Sequence, residues 1–219
     1  MIDDPLAKRL GELEELEGSL LDLAMKCMQA YGGAVYPMDL LANGASNRTL
    51  ALCSGFRRMI ADRNMICAGS LLRLQVDTAL RFYAAYIVED PHAFATEVLK
   101  GTRVDKLKDR DGKPMQDAHL VKRLAEAEAL EWLPSVYRET SGYVHLSSKH
   151  LFNTFNSVDE ATRTVQIKVG AADGDLPQDI YIEAVDAFIA ATRLFMRYLH
   201  GWGLTKQNPE EVARMREAR

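Results

Sequence analysis

The chain has 219 residues, which is enough for one large domain or two small ones. Its hydrophobic fraction of 47% and charged fraction of 26% are typical of a globular protein that buries a core. A formal net charge of -4 argues against a protein that coats itself with nucleic acid through bulk electrostatics, although it leaves room for a local basic site.

Hydrophobic periodicity, together with the residues that cap or end helices, predicts the secondary-structure elements in chain order. A first helix is capped by Asp3 or Asp4 and ends at Gly32–Gly33, and the third helix is apolar nearly all round, which is typical of the central helix of a bundle. The helices after the first are predicted at 46–64, 65–88, 92–99, 117–124, 132–145 and 178–200, the last ended by Gly201 and Gly203. Residues 164–169 alternate with period two, so a hairpin is expected from strands at 152–157 and 162–169.

These elements predict a mainly all-α protein, a bundle of about five to six helices with one small β-hairpin insertion. We expect a single helical domain over 1–207 and a frayed, charged tail over 208–219. The three cysteines match no metal motif and lie in apolar helical patterns, which favours a reducing compartment, the cytoplasm. The acidic start is unlike a signal peptide, and no apolar run is long enough for a membrane span. We expect no metal, no cofactor and no membrane association.

The densest group of reactive side chains lies between Tyr137 and His150. Within it, Arg138 and His145 are seven residues apart, so on a helix they return to nearly the same face, about 10 Å apart along the axis. Arginine offers a fixed positive charge to a phosphate, and histidine exchanges a proton near neutral pH. Together they suit metal-independent cleavage of RNA, in which the ribose 2′-hydroxyl attacks the adjacent phosphate.

This segment resembles the HEPN superfamily of helical-bundle proteins, whose signature is an arginine, four to six residues, then a histidine. Arg138-Glu-Thr-Ser-Gly-Tyr-Val-His145 has six between, with the polar Glu139 after the arginine where the family more often has asparagine, aspartate or histidine. Asp77-Thr-Ala-Leu-Arg81 is similar to an acidic and basic pair that many members carry on an earlier helix. The resemblance implies an endoribonuclease and a homodimer whose Arg–His pairs face each other, often in toxin–antitoxin or antiphage systems.

On this hypothesis His145 is the acid and base and Arg138 contacts the phosphate, with Ser141, Tyr143 and His150 as further supporting residues. RNA and an antitoxin or other protein from a neighbouring gene are the expected partners. The same spacing recurs at Arg193 and His200, but His200 precedes Gly201, where histidine stabilises a helix C-terminus by facing its dipole.

Other interpretations stay open. Arg138 could pair with a carboxylate of the bundle while His145 bonds a backbone carbonyl, and Asp77 with Arg73 and Arg81 could form a structural ion-pair network. The alternative function is a non-catalytic helical module that binds a protein or a nucleotide. A third is a small-molecule sensor with a pocket lined by aromatic residues, namely Phe82, Tyr83 and Tyr86.

Overall fold

The computed structural model describes residues 4–152, 154–173 and 176–210. Its elements are α1 (Pro5–Gln29), α2 (Pro37–Ala61), α3 (Met65–Tyr83), α4 (Pro91–Leu99), α5 (Asp117–Glu128), α6 (Trp132–Val144), α7 (Ser148–Phe152), β1 (Phe155–Asp159), β2 (Thr164–Ile167) and α8 (Gln178–Gln207). The prediction of a mainly helical protein with one small hairpin is confirmed, with eight α-helices and one two-stranded antiparallel sheet in the described part of the chain.

The central position predicted for the third helix is confirmed. Helix α3 packs against α2, α5, α6 and α8, and most of its apolar side chains are buried. Aromatic rings join the long helices: Phe56 of α2 stacks on Phe188 of α8 with ring centroids 4.2 Å apart, and Phe82 of α3 meets Phe195 of α8 edge to face at 5.1 Å. Such ring pairs add stability beyond the area that they bury.

The start of the second helix was predicted nine or ten residues too late. Helix α2 begins at Pro37, and Ser46 lies inside it, buried, with its hydroxyl donating to the carbonyl of Ala42 at 2.8 Å. Proline at the first helical position loses no helix hydrogen bond, since that N–H would be unpaired anyway. Asp39 accepts a hydrogen bond from the N–H of Tyr36 at 2.8 Å and so closes the helix start.

The end of the last helix was also predicted wrongly. Helix α8 continues through Gly201 and Gly203 to Gln207. A Cβ on Gly203 would lie 2.8 Å from Sγ of Cys27, so this glycine lets α1 approach α8 closely instead of ending the helix. His200 is therefore inside the helix, and the C-terminal role predicted for it is wrong.

A buried ion pair ties α8 to the start of α2. Lys206 and Asp39, 0% and 1% exposed, are 3.1 Å apart, and Asp39 also accepts from the indole N–H of Trp202 at 2.9 Å. The Lys206 ammonium donates further to the carbonyls of Cys27 and Met28 in α1. Three helix ends are thus held by one charged cluster.

The remaining boundaries differ by a few residues from the prediction. Helix α3 passes into a 3₁₀ turn at Ala84–Tyr86, α5 runs to Glu128, and β1 starts at Phe155. Asp4 caps α1 by accepting from the N–H of Leu6, while Asp3 lies outside the described residues, as does the predicted tail from 211 onward. No helix in the described ranges has the length and apolar character needed to cross a membrane.

Candidate functional site

Helix α6 places Arg138 and His145 on the protein surface. The Arg138 side chain is 73% exposed, and His145 is the exposed residue at which α6 ends, with extended backbone angles (φ −113°, ψ 145°). The nearest carboxylate to Arg138 is that of its chain neighbour Glu139, at 3.9 Å, and His145 has no hydrogen bond to any described residue. Among the residues that the structure describes, Arg138 therefore pairs with no carboxylate beyond that of Glu139, and His145 does not bond a backbone carbonyl.

Glu139 is bound by a different cation. Its carboxylate accepts a hydrogen bond from the ammonium of Lys149 at 2.8 Å, and that bond, reinforced by the lysine charge, lowers the pKa of Glu139. The same ammonium lies over the ring of Tyr143, 5.1 Å from its centroid. Glu139 thus makes its hydrogen bond with Lys149 and only a longer ion pair, at 3.9 Å, with Arg138, whose guanidinium donors stay available to an approaching phosphate.

The second imidazole of the segment is held more firmly than the first. Nδ1 of His150 accepts from the backbone N–H of Ser147 at 3.2 Å, so the neutral ring carries its proton on Nε2. The Ser147 hydroxyl donates to the carbonyl of Gly142 at 2.6 Å, which fixes the turn between α6 and α7. His150 is thus oriented by the turn, whereas His145 is free to rotate.

Asp77 and Arg81 belong to a polar cluster between α3 and α5. Asp77 pairs with Arg73 at 2.9 Å and with Arg81 at 3.7 Å. Asp117 of α5 pairs with the same two arginines, at 3.4 Å from Arg73 and 2.5 Å from Arg81. All four side chains are between 12% and 32% exposed, so this is a partly buried network of the kind that fixes helices relative to each other.

Helix α6 joins this network through Tyr137 and Ser141, which are four residues apart and so lie on the same face of the helix. The Tyr137 hydroxyl donates to Asp117 at 3.1 Å, and the guanidinium of Arg73 lies 4.0 Å from the centroid of the Tyr137 ring. Nε of Arg73 also donates to Oγ of Ser141 at 3.4 Å. The predicted site residue Ser141 therefore holds α6 in place, while Asp117 and Tyr137 were not predicted because only the tertiary fold brings them to α3.

Tyr143 anchors the end of α6 directly on α3. Its carbonyl accepts from the hydroxyl of Ser70 at 2.8 Å, and its ring covers Gly69, where a Cβ would lie 2.4 Å from the ring. The inner side of α6 is thus attached to α3 through Ser141 and Tyr143. The ion-pair network that supports this attachment contains Asp77 and Arg81. Arg138 and His145 face outward and make no hydrogen bond with them.

The hairpin that follows α7 exposes an apolar surface. In the hairpin, Phe155 pairs with Ile167 and Val158 with Val165, and the irregularity at 155–157 brings both pairs to one face. We name these four residues the hairpin face; each is between 43% and 64% exposed. Leu146, in the turn after His145, is 85% exposed. The four residues of the hairpin face form an exposed apolar cluster, and such clusters are typical of interaction sites.

The second pair with the same spacing, Arg193 and His200, is also exposed, on α8. Since α8 continues to Gln207, helix-end stabilisation no longer explains His200. What distinguishes the two pairs is their surroundings. His145 lies where α6 ends and the turn to α7 begins, five residues before His150, whereas Arg193 and His200 lie along the side of a continuous helix.

Within residues 4–152, 154–173 and 176–210, no group of three or more His, Cys, Asp or Glu side chains could hold a metal ion. Comparisons of the chain with protein-family models, with curated proteins and with solved structures each found no match. The relation to the HEPN superfamily therefore stays a hypothesis that rests on the Arg138–His145 spacing and on the helical fold.

Proposed function

We propose that the protein is a HEPN-like, metal-independent endoribonuclease that acts through Arg138 and His145. The observation that supports the proposal is that both side chains are exposed, Arg138 in the middle of α6 and His145 at its end, and that neither makes a side-chain hydrogen bond to another described residue. A strand of RNA could reach both, which would be impossible if they were buried or paired inside the core.

The chemistry follows from the two side chains. His145 takes the proton of the ribose 2′-hydroxyl, whose oxygen bonds to the phosphorus as the bond to the 5′-oxygen breaks. A protonated imidazole returns a proton to that 5′-oxygen, leaving a 2′,3′-cyclic phosphate and a 5′-hydroxyl. Arg138 stabilises the negative charge that grows on the phosphate oxygens. The resemblance implies that the second imidazole is His145 of a second copy.

A homodimer is part of this proposal. The hairpin face and Leu146, the residue after His145, expose apolar surface, and an isolated two-stranded hairpin is marginally stable in water. Covering the hairpin face with a second copy would bury this surface and bring two Arg–His pairs together. Desolvation at such an interface would also order His145, whose side chain makes no hydrogen bond to the described residues.

The second candidate function is a non-catalytic module that binds a protein encoded by a neighbouring gene. The same apolar surface supports it, as does the absence of any described group that orients His145. This candidate requires a stable complex and no turnover of RNA. Activity and complex formation therefore discriminate between the two.

The test is cleavage of single-stranded RNA by the purified full chain in the presence of EDTA, with the product ends analysed. We expect 2′,3′-cyclic phosphate ends, and a loss of about 100-fold or more in rate for His145→Ala and for Arg138→Ala. The matched controls are His200→Ala and Arg193→Ala, which remove the same residue types at the same spacing from α8 and should cleave like the native protein.

Cleavage by His145→Ala at the native rate would overturn the assignment of the site. A native protein that cleaves no RNA, alone or after release from a bound partner, would overturn the enzymatic proposal and leave the binding module. Equal losses in the α6 and α8 variants would show that unfolding, not chemistry, is being measured, and circular dichroism of each variant identifies that case.

A further inference from the structure

A cavity of about 380 Å³ lies at the opposite end of α3 from the Arg138–His145 pair. It opens between the start of α2, the turn after α3, the start of α4 and the last turns of α8. Its wall contains four aromatic or imidazole rings and one guanidinium, those of Tyr36, Tyr86, His92, Trp202 and Arg110. We call it the aromatic cavity. Its volume is in the lower part of the range of about 300–1,000 Å³ in which small molecules bind.

The aromatic and imidazole rings form the walls of the aromatic cavity. His92 lies between Tyr36 and Trp202, with ring centroids 5.5 Å away on each side. The polar atoms of the large rings are engaged elsewhere, because the Trp202 indole N–H donates to Asp39 and the Tyr86 hydroxyl donates to the carbonyl of Tyr198. These two residues therefore offer the cavity mainly apolar ring surface, on which a planar ring of a ligand can stack or pack edge to face.

Arg110 gives the cavity a positive charge. Its guanidinium donates to the carbonyls of Tyr86 at 2.6 Å and Ile87 at 3.3 Å, and no carboxylate of the described residues lies within 4.0 Å of it. No aspartate or glutamate lines the cavity within the described part of the chain. These two carbonyls use Nη2 and Nε, so the Nη1 donors remain for an anionic group of a ligand.

The His92 ring has a feature that the stability of the fold alone does not explain. Its Nδ1 is buried and has no hydrogen-bond partner in the described structure. Leaving a buried polar group unsatisfied destabilises the folded chain, so such groups call for an explanation other than packing. The neighbouring walls are nevertheless rigid, since the buried pair of Lys206 and Asp39 anchors the Trp202 side of the cavity.

We infer that the aromatic cavity binds a small planar aromatic molecule that carries one anionic group, a carboxylate or a phosphate. The ring lies among Tyr36, His92 and Trp202, and the anionic group bonds Nη1 of Arg110. This inference is independent of the ribonuclease proposal. Gly69, which touches the end of α6, and Ala85, which lines the cavity, are 16 positions apart, or on the order of 20 Å along a helix.

Isothermal titration of the full chain tests the inference with four probes, namely indole-3-carboxylate, uncharged indole, cationic tryptamine and adenosine monophosphate. We expect one site per chain for indole-3-carboxylate, adenosine monophosphate or both, and affinity at least about tenfold lower for indole and tryptamine. Which of the two anions binds better shows whether the cavity prefers a small ring with a carboxylate or a nucleotide with a phosphate.

Two variants locate the site. Arg110→Met should weaken binding of the anionic probe at least about tenfold and leave that of indole unchanged. Thr205→Phe, at a half-buried position of the wall, should fill the cavity and abolish binding of all probes. The control is Arg103→Met, which removes an exposed arginine that already pairs with Asp105 at 2.7 Å and should bind like the native protein.

Three results would overturn the inference: no probe binds the folded native chain, indole binds as tightly as its carboxylate, or Thr205→Phe binds normally. Thermal melting of each variant shows whether it is folded. If Arg110→Met is not folded, Arg110→Lys takes its place, because it keeps the charge but loses the fork of donors, and weaker anion binding is again expected.

Discussion

At the scale of single residues, the charged pair formed by Asp39 and Lys206 stands out because neither side chain reaches solvent. Every donor around the Asp39 carboxylate is supplied by the fold: the ammonium of Lys206, the indole of Trp202 and the N–H of Tyr36. A buried pair of this kind adds less stability than its Coulomb attraction suggests, but removing one partner leaves a buried charge alone.

We expect Asp39→Ala to lower the free energy of unfolding by about 3–5 kcal/mol, because the Lys206 ammonium stays buried without its counter-charge. Urea denaturation measures the loss. The control is Glu97→Ala, which breaks the exposed pair between Glu97 and Lys100 and should change stability by less than about 1 kcal/mol. Similar small effects for the two variants would show that the buried pair does not hold the three helix ends together.

The residue scale also shows where sequence reasoning stops. The spacing of Arg73, Asp77 and Arg81 on one helix predicts an ion-pair network, and the structure contains it. Asp117 and Tyr137 complete that network from two other helices, about 40 and 60 positions later in the chain. No periodicity links residues so far apart in the chain, so the sequence alone indicated the ion pairs within α3 but not their connection to α5 and α6.

At the scale of elements, helices with clear apolar stripes and caps were predicted well, as α1, α4 and the start of α3 show. The errors in α2 and α8 share one cause. Ser46, Gly201 and Gly203 are residues that favour helix ends by local propensity, but here each lies inside a helix, and Gly203 does so where Cys27 of α1 leaves no room for a Cβ. Local signals of capping cannot reveal that a neighbouring helix requires a small residue.

Gly69 is the clearest case of such a requirement near the candidate site. We expect Gly69→Ala to displace the Tyr143 ring, because the new Cβ would lie 2.4 Å from it, and so to shift the end of α6. Stability should fall by about 1–3 kcal/mol despite the better helix propensity of alanine. Thermal melting and the RNA-cleavage assay measure the two consequences.

The control for this substitution is Gly18→Ala in α1, where a Cβ would meet nothing within 4 Å. That variant should gain up to about 1 kcal/mol, since alanine replaces glycine in a helix interior. If Gly69→Ala were as stable as Gly18→Ala and cleaved RNA normally, contact between Tyr143 and α3 would not be what positions the end of α6.

At the scale of the whole molecule, the features separate into three regions. The long helices α1, α2, α3 and α8 form the core, and the aromatic cavity lies beyond the C-terminal end of α3. The third region consists of α6, α7 and the hairpin, which carry the exposed candidate site residues and the hairpin face. The predicted bundle accounts for the first region. The other two depend on how turns and glycines bring distant residues together, and they are the regions where function is proposed.

The proposed homodimer is tested at this scale. We expect the native chain to sediment as a dimer, and Val158→Asp combined with Val165→Asp to sediment as a monomer, because two charges would be placed in the centre of the hairpin face. Val169→Asp is the control, since Val169 is 94% exposed and lies beyond the end of β2. Analytical ultracentrifugation at several concentrations measures the oligomeric state.

A native monomer at all concentrations would refute the dimer, and a dimer that survives both hairpin substitutions would place its interface elsewhere. If the monomeric variant is folded but no longer cleaves RNA, two copies are needed for activity, as the ribonuclease proposal requires.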